Sequence, residues 1–243
     1  MKKFPARRIL IIKNITREGP GLIAKVFKNK KIIFDQVDLS EPPSLPSLAD
    51  YEAVIVLGGP DSANDRTPKM QLLLKTVKKI IDSHMPYLGI CLGMQVLVKA
   101  GGGSVLKNPE KEIGLYGSDG KRFSVILTRE GKSDPFIGKL PKEFPIFQLH
   151  GETVQLAAGM KLLGTGTFCR HQIVKVGKSA YGFQGHLELT PEMLRSWMRE
   201  DQDLMRLERK KMMDHFMRFY PEYQKRGMKL VESFIRMIEN DKK

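Results

Sequence analysis

Short apolar runs alternate with amphipathic stretches over roughly the first hundred residues, and few folds accommodate that alternation. "RRILIIK", residues 7–13, reads as a buried strand. "GPGLIAKVFKNK" follows, with Leu22, Ile23, Val26 and Phe27 on one helical face. "KIIFDQVDL" reads as a second strand, and the prolines of "SEPPSLPSL" forbid regular structure after it. "YEAVIVLGGP" is a third strand, apolar enough to be covered on both faces. "TPKMQLLLKTVKKIIDSH" reads as a helix capped by Thr67 with Pro68 at its first position. "MPYLGI" is a short strand, and "LGMQVLVKAGG" a helix ended by glycine.

The pattern predicts an α/β fold: a flavodoxin-like open sheet, mostly parallel, with helices on both faces. From about 103 to 188 the chain is richer in short strands, "RFSVIL", "EFPIFQL", "MKLLGTGTF", "QIVKVG" and "SAYGFQG", which predict antiparallel additions. From Thr190 it reads as a helical C-terminal tail, with "TPEMLRSWMRE" first and "PEYQKRGMKLVESFIRMIEN" as a last amphipathic helix. The expected division is a domain over residues 1–190 and a helical extension over 191–243, packing on or beside it. The extension is rich in methionine and aromatic residues at helical spacings. Such a face can serve as an adaptable binding surface, but packing on the same domain is the favoured reading.

The chain has 243 residues, 41% of them hydrophobic, which suits a globular protein and not a disordered one. Cys91 and Cys169 are the only cysteines, too few for a disulfide framework, and fit a reducing compartment. The apolar run near the N-terminus is too short for a signal peptide, and no stretch reaches the roughly 20 apolar residues that span a bilayer. A cytoplasmic protein with no membrane contact is expected. The formal charge is +14, but lysines and arginines are spread along the chain, so a solvated basic surface is favoured over nucleic-acid binding.

Parallel sheets place active sites at the carboxyl ends of their strands. There, in Gly89-Ile-Cys-Leu-Gly93, a strand enters a helix through a sharp turn with Cys91 at its apex. This is the pattern of a nucleophile elbow. The helix N-terminus favours thiolate over thiol, and the amide of Leu92 would point at an oxyanion formed beside the sulfur. By itself the pattern fits an inert buried cysteine equally well. A thiolate also needs a base, and the base an orienter. Among the five histidines, His150 and His186 lie at strand ends. Glu188 follows His186 by two positions and would share its face of a strand.

Together these segments resemble the class I glutamine amidotransferase family. Gly89-Ile-Cys-Leu-Gly-Met-Gln95 resembles its nucleophile motif, and Tyr181-Gly-Phe-Gln-Gly-His-Leu-Glu188 its later G-x-Q-F-H-P-E motif. Leu57-Gly-Gly-Pro60 resembles its oxyanion loop. His150-Gly-Glu152 resembles the S-H-G-D segment found in the amidotransferase domain of GMP synthase. The resemblance implies that Cys91 attacks the side-chain amide of L-glutamine, that His186 protonates the leaving ammonia and then activates water, and that Glu188 orients His186. It implies an oxyanion hole from the N–H groups of Gly59 and Leu92, and substrate contacts from Gly58, Gln95, His150, Gly151 and Glu152.

The chain departs from the family pattern at Gly185 and Leu187, where an aromatic and a proline are usual. Gly185 is expected to loosen the backbone beside His186. Glu152 stands where aspartate is commoner. "LGGPDS" approaches a pyrophosphate loop, but Pro60 lacks the N–H such a cradle uses, and no GxxxxGK[ST] occurs. No cofactor or metal is therefore expected, and Cys169 is read as a small strand filler. With nothing to activate an acceptor, the ammonia would pass to a separate synthetase subunit. The alternatives are a standalone γ-glutamyl peptidase-like hydrolase and a catalytically silent binding module. A homo-oligomer is compatible with all three.

Overall fold

A computed structural model describes residues 8–41 and 44–240. Arg7 of the first predicted strand, Pro42 and Pro43 of the proline-rich loop, and the ends of the chain lie outside them. The elements up to the elbow follow the expected alternation: β1 (Arg8–Lys13), α1 (Gly21–Asn29), β2 (Ile33–Asp38), β3 (Ala53–Val56), α2 (Pro68–Asp82), β4 (Tyr87–Ile90) and α3 (Leu92–Ala100). Then come β5 (Ser104–Gly114), β6 (Ser124–Leu127), α4 (Arg129–Ser133), β7 (Glu143–Pro145), β8 (Gln148–Gln155), β9 (Lys161–Thr165), β10 (Ile173–Val176) and β11 (Ala180–Phe183). The chain closes with α5 (Pro191–Glu200), α6 (Gln202–Met205) and α7 (Arg209–Asn240).

Among the described residues nine strands form one sheet, in the order β2-β1-β3-β4-β11-β10-β9-β6-β7. The first five of that order are parallel and the rest antiparallel. β1 shows why both faces need cover. Ile9 and Ile11 enter a core shared with α1 and α7, while Leu10 and Ile12 enter a second core with α2 and α3. Successive side chains of a strand point to opposite faces, so a run without polar residues demands two layers of helix. Thr67 caps α2 by accepting from the Met70 N–H, and Thr190 caps α5 in the same way through Met193.

Two features differ from the sequence reading. β5 pairs with β8 in a separate two-stranded sheet, with a register shift between Lys107 and Glu112. Its charged residues and Pro109 hide the alternation that marks a strand. The last helix does not begin at Pro221 but runs through it. A proline inside a helix costs about 3 kcal/mol. Phe216 and Phe219 before it, and Tyr223, Gly227 and Leu230 after it, are all buried at helical spacing. Packing on both sides of the proline holds the two halves in one register.

Leu194, Trp197, Met198, Leu204 and Phe216 gather with Leu22, Phe147 and Leu189 in a third core. Most of the apolar tail faces inward, while Met205 and Met217 remain about half exposed. No helix among the described residues is long and apolar enough to cross a membrane.

Candidate active site

The loops that follow β1, β3, β4 and β11 meet at the carboxyl edge of the parallel strands. Ile90 and Phe183, the last residues of β4 and β11, are paired in register, and the Cys91 N–H donates to the Phe183 carbonyl at 2.7 Å. That pairing brings the segment ending in Glu188 beside the elbow.

Cys91 adopts φ 51°, ψ −107°, and Leu92 opens α3 immediately after it. Positive φ is strained for a residue with a side chain. Two close approaches hold the turn. A Cβ on Gly89 would come within 2.5 Å of the Gly93 backbone, and one on Gly93 within 2.1 Å of the Val56 carbonyl oxygen. Both positions therefore require glycine. The first-turn N–H groups of a helix have no intrahelical acceptor, which leaves the Leu92 amide available beside the sulfur. The Leu149 carbonyl oxygen and Gln184 Nε2 each lie 3.7 Å from Sγ.

His186 is buried, and its Nδ1 lies 2.8 Å from Glu188 Oε1. The other carboxylate oxygen accepts from the Leu187 N–H at 2.9 Å. Burial lowers the proton affinity of the imidazole. The Glu188 charge and the hydrogen bonds to Cys91 and Glu188 outweigh it, so the His186 pKa stands well above its ordinary value. Gly185 does not loosen this histidine. A Cβ there would lie 2.8 Å from both Gln148 Oε1 and Ile146 Cδ1, so the position is close-packed and has no room for an aromatic ring. The His186 N–H donates to the Phe147 carbonyl at 2.8 Å, and the Tyr223 hydroxyl donates to the His186 carbonyl at 2.7 Å. Trp197 stands edge-on to the imidazole at 4.8 Å. The C-terminal helices thus buttress the histidine from behind.

Cys91, His186, Gly59 and Gln95 line one cleft of about 510 Å³. Gly58 and Gly59 follow β3, and Asn14 Nδ2 fixes their loop by donating to the carbonyls of Leu57 at 2.8 Å and Gly58 at 3.3 Å. Gln95 Nε2 donates to the Glu152 carbonyl at 3.3 Å, and Ser62 Oγ to Glu152 Oε1 at 2.9 Å. His150, Gly151 and Glu152 also line the cleft. The His150 ring is engaged on both sides, by the Glu152 carbonyl at 2.9 Å and by Glu112 Oε2 at 2.7 Å, so it presents backbone and not a free imidazole nitrogen.

Glu112, His150 and Cys169 form a second Cys–His–Glu grouping, with ligand atoms all within 4.8 Å of one another. Its geometry is that of a hydrogen-bonded network. Glu112 accepts from Gln172 Nε2 at 2.9 Å and from the Cys169 N–H at 3.2 Å, and Cys169 Sγ lies 3.2 Å from Thr153 Oγ1. A metal would have to displace these bonds. Burial pushes the Cys169 thiol up to about 11, and Cys169 is wholly enclosed. Neither favours a nucleophile.

Several residues at the site carry no motif signal. Glu18 and Arg17 line the cleft from the loop after β1. Arg17 pairs with Asp201 at 3.0 Å, and Lys111 with Asp203 at 2.7 Å, so the turn into α6 is tied across the cleft mouth.

The sequence pattern of class I glutamine amidotransferases matches residues 15–202. The chain belongs to that family. It is 28% identical over 162 residues to YfeJ of Salmonella typhimurium, described as glutamine amidotransferase-like, a match covering 65% of each chain. It is 33% identical over 185 residues to the glutamine-hydrolysing GMP synthase of Borrelia garinii, covering 75% of this chain and 32% of that enzyme. The chain thus spans less than two thirds of the length of these relatives. A crystal structure of a glutamine amidotransferase from Thermotoga maritima superposes with a TM-score of 0.83 at 26% identity, covering 96% of this chain and 99% of that one. The amidotransferase family and fold rest on these matches together.

Proposed function

We propose that the protein hydrolyses the side-chain amide of L-glutamine through a cysteinyl thioester, with Cys91, His186 and Glu188 as the reacting triad. The observation that carries this reading is the imidazole of His186, bonded to Glu188 and lining one cleft with the strained Cys91. The thiol proton passes to His186, and the sulfur attacks the amide carbon. The N–H groups of Gly59 and Leu92 receive the oxyanion. His186 returns the proton to the leaving nitrogen, ammonia departs, and the same imidazole takes a proton from the water that opens the thioester to glutamate. Gln95 and the backbone of His150 to Glu152 hold the amino-acid end of the substrate.

Ammonia then passes to an acceptor on a separate synthetase subunit, by analogy with the GMP synthase relatives. A standalone γ-glutamyl hydrolase is the second reading. It draws on the reach of the cleft beyond Cys91 to Lys107, Lys111 and Asp203, which leaves room for a substituent on the amide. The deciding measurement is ammonia release from glutamine by the purified protein and by Cys91→Ala. Release by the wild type and none by the variant is expected; equal release by both would refute the assignment.

A further inference from the structure

Glu18 belongs to none of the motifs, yet it is buried and lines the cleft with Cys91 and His186. Its Oε2 has no hydrogen-bond partner. A buried carboxyl without a partner is destabilising, and such groups persist where the folded protein uses them. Its position narrows the use. A Cβ built on Gly58 would lie 2.3 Å from Glu18 Oε2, 3.1 Å from His186 Cε1 and 3.5 Å from Cys91 Cβ. The Glu18 carboxyl, the imidazole and the Cys91 side chain therefore border one point at Gly58.

The Nδ1 of His186 is bonded to Glu188, so the ring meets a substrate through Nε2, and Cε1 is the atom between the two nitrogens. The carbonyl oxygen of a bound amide points at Gly59 and Leu92, and its nitrogen at His186. Glu18 stands on the imidazole side. An unsubstituted amide nitrogen carries two N–H groups, and ammonia three. His186 engages only one of these directions. A carboxyl group offers an acceptor oxygen whether or not it is protonated.

Building on the glutaminase reading, we propose that Glu18 accepts an N–H of the leaving nitrogen and thereby selects an unsubstituted carboxamide over an N-substituted one. The proton inventory is unchanged: the thiol proton travels through His186 to the nitrogen, the C–N bond breaks with its electron pair on nitrogen, and Glu18 neither gives nor takes a proton. The groups acting on Glu18 suit the task. Burial favours its neutral form, while His186 and Arg17 favour the carboxylate and Glu188 and Asp201 oppose it, and the result is a pKa of about 7. Either form offers the departing nitrogen an acceptor oxygen.

The test compares the wild type, Glu18→Ala and Glu18→Gln on L-glutamine and on γ-L-glutamylmethylamide, with the rate of Cys91 labelling by diazo-oxo-norleucine as a third reading. That reagent has no leaving amide nitrogen. Glu18→Ala should lose about 10- to 100-fold in kcat/KM on glutamine, in line with removing a single hydrogen-bonding group from a reacting centre. Its turnover of the methylamide should be unchanged or higher, and its labelling rate should match the wild type. Glu18→Gln keeps the volume and one acceptor oxygen and should fall between. Equal losses on both substrates, or labelling that declines in step with turnover, would assign Glu18 a purely structural part and overturn the proposal. A wild type that neither releases ammonia from glutamine nor takes the label would overturn the underlying reading as well, and that result is visible before any variant is made.

Discussion

The Tyr223 hydroxyl, on the longest helix of the C-terminal region, donates to the backbone carbonyl of His186 at 2.7 Å and accepts from the Leu189 N–H at 3.3 Å. The histidine is thus held from a helix more than thirty residues further along the chain. Tyr223→Phe removes both bonds and leaves a buried carbonyl without its partner. The expected cost is about 1–2 kcal/mol of stability. Since the tyrosine touches the backbone of the base and not the substrate, kcat should fall several-fold while KM stays near the wild-type value. Denaturation curves and steady-state kinetics check this, and a variant matching the wild type in both would remove the buttress from the account.

Glu188 holds the imidazole through Nδ1 and keeps its proton affinity high. Glu188→Gln preserves the shape but removes the charge. The His186 pKa in the variant should fall, because burial, which disfavours the imidazolium, then meets less opposition. Glutaminase activity should drop by about 100-fold or more. An NMR titration of the His186 ring, read beside the rate, tests both; a wild-type titration curve paired with a full loss of activity would separate Glu188 from the proton affinity of the base.

The Glu18 carboxyl also makes a prediction about stability alone. Its pKa rises from 4.5 to about 7 on folding. Between those values the folded chain keeps a proton that the unfolded chain has lost, so stability declines as pH rises from about 4.5 to about 7 and levels off above. Glu18→Gln abolishes that slope. It should stabilise the protein at pH 8 by at most on the order of 3 kcal/mol and have little effect near pH 4. Thermal unfolding of the two proteins across this range decides the matter, and parallel curves would show that Glu18 ionises as freely in the fold as outside it.

The elbow was legible in the sequence because its chemistry leaves little choice. Gly89 and Gly93 lie so close to neighbouring backbone that no other residue fits; His186 does meet Glu188, but in the bends beyond β11 and not on a face of a strand. The layers were legible because β1 is apolar on both faces. What stayed hidden had no local mark. Glu18, in a short polar loop, reads as a surface acid, and only the tertiary fold encloses it. The Glu112–His150 pair joins residues on β5 and β8 whose register no local pattern states. β5 carries no strand signal because its lysines, glutamates and Pro109 interrupt the alternation of a strand. Pro221 reads as a helix start because local propensity forbids what packing on either side of it enforces.

The pairing of Ile90 with Phe183 has a consequence for how the protein comes into being. The two strands are neighbours in the sheet but distant along the chain, so a nascent polypeptide carries Cys91 long before the strand whose carbonyl holds its N–H. Cys91 and His186 come together only when the late strand docks in register. Unfinished or misassembled copies therefore hold Cys91 without His186 beside it.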